Sequence, residues 1–108
     1  MLFFGIFVSY GQESNSINSL KEKLILEEDP KTRTQMLFEI GDLYYSTQRD
    51  SSIFYLTQSY HLSKQVEDLN LRSRIAGLLG VAYQVVDIEK STEYLFEALA
   101  IAEESNGS

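Results

Sequence analysis

The chain has 108 residues, 44% of them hydrophobic and 23% charged, a length and balance that allow one globular domain of ordinary size. Sixteen acidic side chains against nine basic ones leave a net charge of −7, which argues against binding to nucleic-acid phosphates or to an anionic membrane surface. With no cysteine and one histidine, His61, disulfides, thiol nucleophiles and histidine-cluster metal sites are excluded.

Met1 to Val8 are apolar apart from Gly5, and Ser9-Tyr10-Gly11 follows. So short a run cannot cross a bilayer, which takes about 20 residues. It matches the apolar core and small-residue cleavage site of a secretory signal, with Ser9 at −3 and Gly11 at −1, although no basic residue precedes Lys21. Residues 1–11 are therefore expected to be a truncated signal peptide of an exported protein. If the segment instead belongs to the domain, the chain is cytoplasmic. Residues 12–33 then form a polar N-terminal linker and an unpaired helix.

Beyond that point apolar residues recur at three and four, the spacing of helices. Leu37, Ile40, Gly41 and Tyr44 share one helical face, and Ala76, Leu79, Gly80 and Tyr83 repeat the pattern further on. Ser19 with Glu22 has the spacing of a capping box. Asp29-Pro30 supplies a cap followed by proline where its missing N–H costs nothing. Asp50-Ser51, Asp68 or Asn70, and Asp87 can cap the rest. The reading is five helices at about 18–28, 31–47, 51–66, 70–86 and 88–104, with no convincing strand. The fold class is all-α.

A shift of 39 superposes Thr34–Leu69 on Ser73–Ser108 and gives five identical pairs: Gly41/Gly80, Tyr44/Tyr83, Ser52/Ser91, Tyr55/Tyr94 and Leu56/Leu95. Ser59/Ala98 and Tyr60/Leu99 match in size or polarity class. A period of this length in a helical chain signals stacked hairpins. Ile40-Gly41-x-x-Tyr44 with Ser52, Leu56 and Ser59-Tyr60 resembles a tetratricopeptide repeat, as does Leu79-Gly80-x-x-Tyr83 with Ser91, Leu95 and Ala98-Leu99. Residues 34–72 and 73–108 are the two repeats. Both are longer than the usual 34 residues, and the proline that ordinarily precedes the next repeat is absent.

Mid-helix glycine costs about 1 kcal/mol against alanine, so Gly41 and Gly80 are expected where two helices cross closely, with Ser52 or Ser59 opposite. Tyr44 and Tyr83 then fill the space one turn on. Catalytic, cofactor and metal motifs are not found. Gly77-Leu78-Leu79-Gly80 lies inside a helix with no Lys-Ser/Thr after it, and His61 has no nucleophile or orienting group. Glu89, Glu93 and Glu97 share a stripe that reads as a solvated acidic face. No enzyme activity is expected.

The resemblance implies a right-handed superhelix in which the first helix of each repeat lines a groove for a protein or peptide partner. Gln35, Phe38, Asp42 and Tyr45 form the corresponding stripe in the first repeat; Arg74, Gly77, Val81 and Gln84 form it in the second. Phe38 and Tyr45 beside Asp42 and Arg74 suit a peptide, unless Phe38 and Val81 complete the core instead. The last helix carries Tyr94, Leu95, Ala98, Leu99 and Ile101 with no polar cap after it, so further repeats or a self-associating subunit should cover it. The Leu-Lys-x-Lys-Leu opening helix and Asp-Pro-Lys turn also resemble the exported sensor regions of bacterial histidine kinases and transcriptional regulators. That similarity implies a periplasmic or envelope location and, as an alternative role, a truncated sensor region.

Overall fold

The computed structural model describes residues 15–107, and these are all-α: five helices joined by short turns. Helix α1 occupies residues 15–26, α2 Pro30–Tyr44, α3 Arg49–Ser63, α4 Leu69–Tyr83 and α5 Ile88–Gly107. The expected signal peptide at 1–11 lies outside the described residues. No described helix is long and apolar enough to cross a membrane.

Local chemistry starts the helices. The Asp29 and Asp68 carboxylates accept from the N–H of Thr32 and Leu71, satisfying donors that a helix start leaves free. Asp87 does the same for Glu89 and Lys90. Two expected caps are corrected. Gln48, in extended conformation, precedes α3 without a side-chain cap bond, and Asp50 lies inside the first turn, where its charge still complements the helix dipole. The chain is already helical at Asn15, so Ser19 and Glu22 stand within α1 and the polar stretch expected to be linker is helical there.

Consecutive helices are neighbours: α2 with α3, α4 with α5, α3 with α4, and α2 also touches α4. The resulting body is elongated, 56 × 33 × 20 Å. Its buried cluster joins Leu56 and Tyr60 of α3 to Leu71, Ile75, Ala76, Leu79 and Ala82 of α4. Ile40 and Leu37 of α2 are buried beside it.

Candidate functional site

The two hairpins are built on one contact made twice. A Cβ added to Gly41 would stand 2.7 Å from Leu56 Cγ, and one added to Gly80 would stand 2.8 Å from Leu95 Cγ. Both lie far inside van der Waals distance, so glycine is required by the approach of the helices rather than by backbone conformation, since neither glycine has positive φ. One turn on, Tyr44 stacks on Tyr55 and Tyr83 on Tyr94, each pair with ring centroids 5.8 Å apart. Ser52 Oγ donates to Gly41 O at 2.7 Å. Ser59 Oγ donates to Thr34 O at 2.8 Å; in the second hairpin the donor changes sides, and Ser73 Oγ donates to Ala98 O at 2.9 Å. Ser91, the counterpart of Ser52, is buried and its hydroxyl finds no partner among the described residues.

The same offset governs the joints between units. Arg33 Nη1 donates to the carbonyls of Leu24 and Glu27 where α1 ends, both at 2.8 Å. Arg72 Nη2 reaches Ser63 O at 3.0 Å and Val66 O at 3.3 Å where α3 ends. A guanidinium on helix-terminal carbonyls satisfies orphan acceptors and complements the negative end of the dipole. Because Leu24 and Glu27 correspond to Ser63 and Val66, α1 occupies the place of a second-helix element ahead of the first hairpin. Lys21 on α1 shows it again: its ammonium donates to Tyr44 OH at 2.7 Å and lies over the Tyr44 and Tyr55 rings, at 5.1 and 5.5 Å from their centroids. That hydrogen bond to Tyr44 holds the Lys21 pKa above the ordinary lysine value. At the matching position of α3, Tyr60 meets Tyr94 edge-on at 5.3 Å.

Sequence reasoning missed these joints because the comparison of repeats began at Thr34. Carried back to residue 28, the same shift adds Glu28/Glu67, Asp29/Asp68 and Arg33/Arg72 as identical pairs. The signal was present.

The stripe expected to face a partner is arranged as follows. Gln35, Asp42, Arg74 and Gln84 are exposed; Phe38, Tyr45, Gly77 and Val81 are half-buried. Phe38 and Tyr45 rest on the core cluster of α3 and α4. Each lies under an arginine: Arg74 is 5.2 Å from the Phe38 ring centroid, and Arg49 is 4.4 Å from that of Tyr45. Arg49 also donates to Ala82 O at 3.3 Å, and Lys31 pairs with Asp68 at 3.4 Å. The first helices of the two hairpins are thus bridged along one face by alternating cations and rings, a contact type worth about 0.5–1 kcal/mol each when exposed.

His61 is exposed, its ring 5.6 Å from that of Tyr60. Glu89 and Glu93 are solvated, but Glu97 departs from the acidic stripe in role: its carboxylate accepts a hydrogen bond from the Tyr60 hydroxyl. Burial, and then this bond to Glu97, push the Tyr60 pKa upward. Nothing in the sequence spacing pairs these two residues; the packing of both α3 and α5 on α4 brings their side chains within reach. Among the described residues no group of three or more His, Asp or Glu is placed to hold a metal ion. Compared with protein-family models, with curated proteins and with solved structures, the chain matches none.

Proposed function

We propose that this chain is a non-enzymatic scaffold of tetratricopeptide-like repeats that holds a protein segment along the shared face of α2 and α4. The observation that carries the reading is the bridged row of Phe38 under Arg74 and Tyr45 under Arg49. Rings fixed from below by the core and from above by guanidinium groups form a surface that is ordered before a partner arrives, which lowers the entropy cost of binding. Gln35, Asp42, Arg74 and Gln84 stand exposed beside it, offering both donors and acceptors to the backbone of an extended peptide.

The test uses the exposed members, whose truncation spares the core. Immobilised chain is used to capture proteins from an envelope extract, in parallel with a variant carrying Gln35→Ala, Asp42→Ala and Gln84→Ala. Partners retained by the native chain and lost by the variant, with circular dichroism unchanged, support the reading. If the two capture the same proteins equally well, the α2–α4 face is not the binding surface.

A further inference from the structure

The outer side of α5 repeats the side of α3 on which α4 is seated. On α3, Ile53, Leu56 and Tyr60 belong to, or rest on, the cluster shared with α4, and Arg49 donates to the α4 carbonyl of Ala82. Their counterparts on α5 are Thr92, Leu95, Leu99 and Ile88, with Phe96 standing for Thr57. Leu95 packs against Gly80 of α4, but no described helix covers the rest: Ile88 is 66% exposed, Phe96 68% and Leu99 56%. Thr92, Leu95, Phe96 and Leu99 line a shallow depression of about 280 Å³.

The substitutions run in a telling direction. A terminal unit that meets water is expected to carry a polar outer face. In α5 the cation at position 49 becomes Ile88, the tyrosine at 60 becomes Leu99 and the threonine at 57 becomes Phe96; only Ile53 changes the other way, to Thr92. The face is greasier than the internal one it copies, and the hydrogen-bonding groups that Arg49 and Tyr60 supply there are gone. Such a surface gains from burial, at about 25 cal/mol per Å² of apolar area.

The margin of the stripe states what the occupant carries. Glu89, Glu93 and Glu103, all exposed, lie three or four residues from Thr92, Phe96 and Leu99, and so on the same edge of the helix. The first-turn cation of α5, Lys90, is on the opposite side, over the Tyr83 ring at 5.4 Å. Two copies of this face pressed together would bring acidic edges against each other in a chain of net charge −7. We infer that the α5 face receives an amphipathic helix of another protein, seated as α4 is on α3, whose apolar stripe is edged by lysines or arginines. This surface is distinct from the α2–α4 face and stands without it.

Two synthetic probes decide the matter: a fluorescent 18-residue leucine–lysine helical peptide and its leucine–glutamate twin, titrated against the full chain by anisotropy. The lysine peptide should bind about tenfold more tightly at low salt, with the gap largely closed in 0.5 M salt. Phe96→Ser with Leu99→Ser should weaken it by about tenfold while leaving circular dichroism unchanged, since both side chains are exposed. Glu89→Gln with Glu93→Gln should weaken it by about threefold. Equal binding of the two peptides, or binding that ignores the Phe96 and Leu99 changes, overturns the inference. So does a native chain that sediments as a dimer and turns monomeric on those changes, because the occupant would then be a second copy.

Discussion

The hairpins α2–α3 and α4–α5 share a skeleton and differ in their polar detailing. Each places a glycine against a leucine that lies 15 positions later, and each stacks two tyrosines beside it at the same centroid distance. Yet the first ties its serine, Ser52, to Gly41 O, while the second buries the identical Ser91 with no partner. Ser59 donates across the first crossing; in the second, Ala98 cannot, and Ser73 donates back from the opposite helix. Close approach of the helices is therefore the conserved element between the two units. Hydrogen bonds are fitted to it afterwards, wherever a hydroxyl happens to stand. Steric fit fixes the crossing because side chains at such a contact have no room to give, whereas one neutral hydrogen bond contributes only about 1 kcal/mol net.

The sharpest way to break this likeness is to fill the glycine sites. Gly41→Leu and Gly80→Leu should each destabilise by about 3 kcal/mol in urea titrations, because the first added atom already collides with Leu56 or Leu95. Gly77 is the control: a Cβ there would lie 3.9 Å from Ala98 Cβ, an ordinary contact, so Gly77→Ala should stabilise by about 1 kcal/mol through helix propensity. A loss at Gly77 equal to that at Gly41 would show that helical glycine, rather than the crossing, sets the cost.

A smaller effect separates the two serines. Ser52→Ala should cost about 1 kcal/mol, whereas Ser91→Ala should change stability by less than about 0.5 kcal/mol, since its hydroxyl is buried without a partner. Matching losses at both positions would mean that the two hairpins are bonded alike after all.

The smallest effect concerns acid. Backbone N–H donors hold the Asp29 and Asp68 carboxyls below the ordinary aspartate value, Asp29 through Thr32 and Asp68 through Leu71. The folded chain thus releases these protons more readily than the unfolded one. Their contribution is complete above the unfolded value of about 3.9 and is lost as pH falls through the lower folded values. Asp29→Asn with Asp68→Asn keeps a capping side chain but removes the charge, so thermal melts between pH 5 and pH 2 should fall less steeply in the variant. An unchanged slope would place the acid sensitivity elsewhere.

Legibility in the sequence divides along the same line. Helix number and the caps at Asp29, Asp68 and Asp87 are local matters, decided within three or four residues, and the spacing of Gly41, Gly80 and the tyrosines reveals the repeat. Where local rules pointed wrongly, a competing local preference prevailed. Ser19 and Glu22 sit inside α1, since a capping-box spacing also fits a helix interior, and Gln48 rather than Asp50 precedes α3. The candidate face was legible as a stripe that included Arg74, but the seating of its arginines on the rings was not. Arg49 belongs to the next helix, and Arg74 reaches Phe38 from the neighbouring hairpin.

By itself, then, the order of residues determined that this chain forms helices, where α2, α4 and α5 start and which positions tolerate no side chain. Those properties follow from hydrogen bonds and volumes within one turn or one repeat. Tertiary structure alone decided that Tyr60 serves Glu97, that Arg74 lies over Phe38, and that the apolar side of α5 stands uncovered among the described residues. Each depends on how helices stack in space, which brings together side chains that no rule within one turn links.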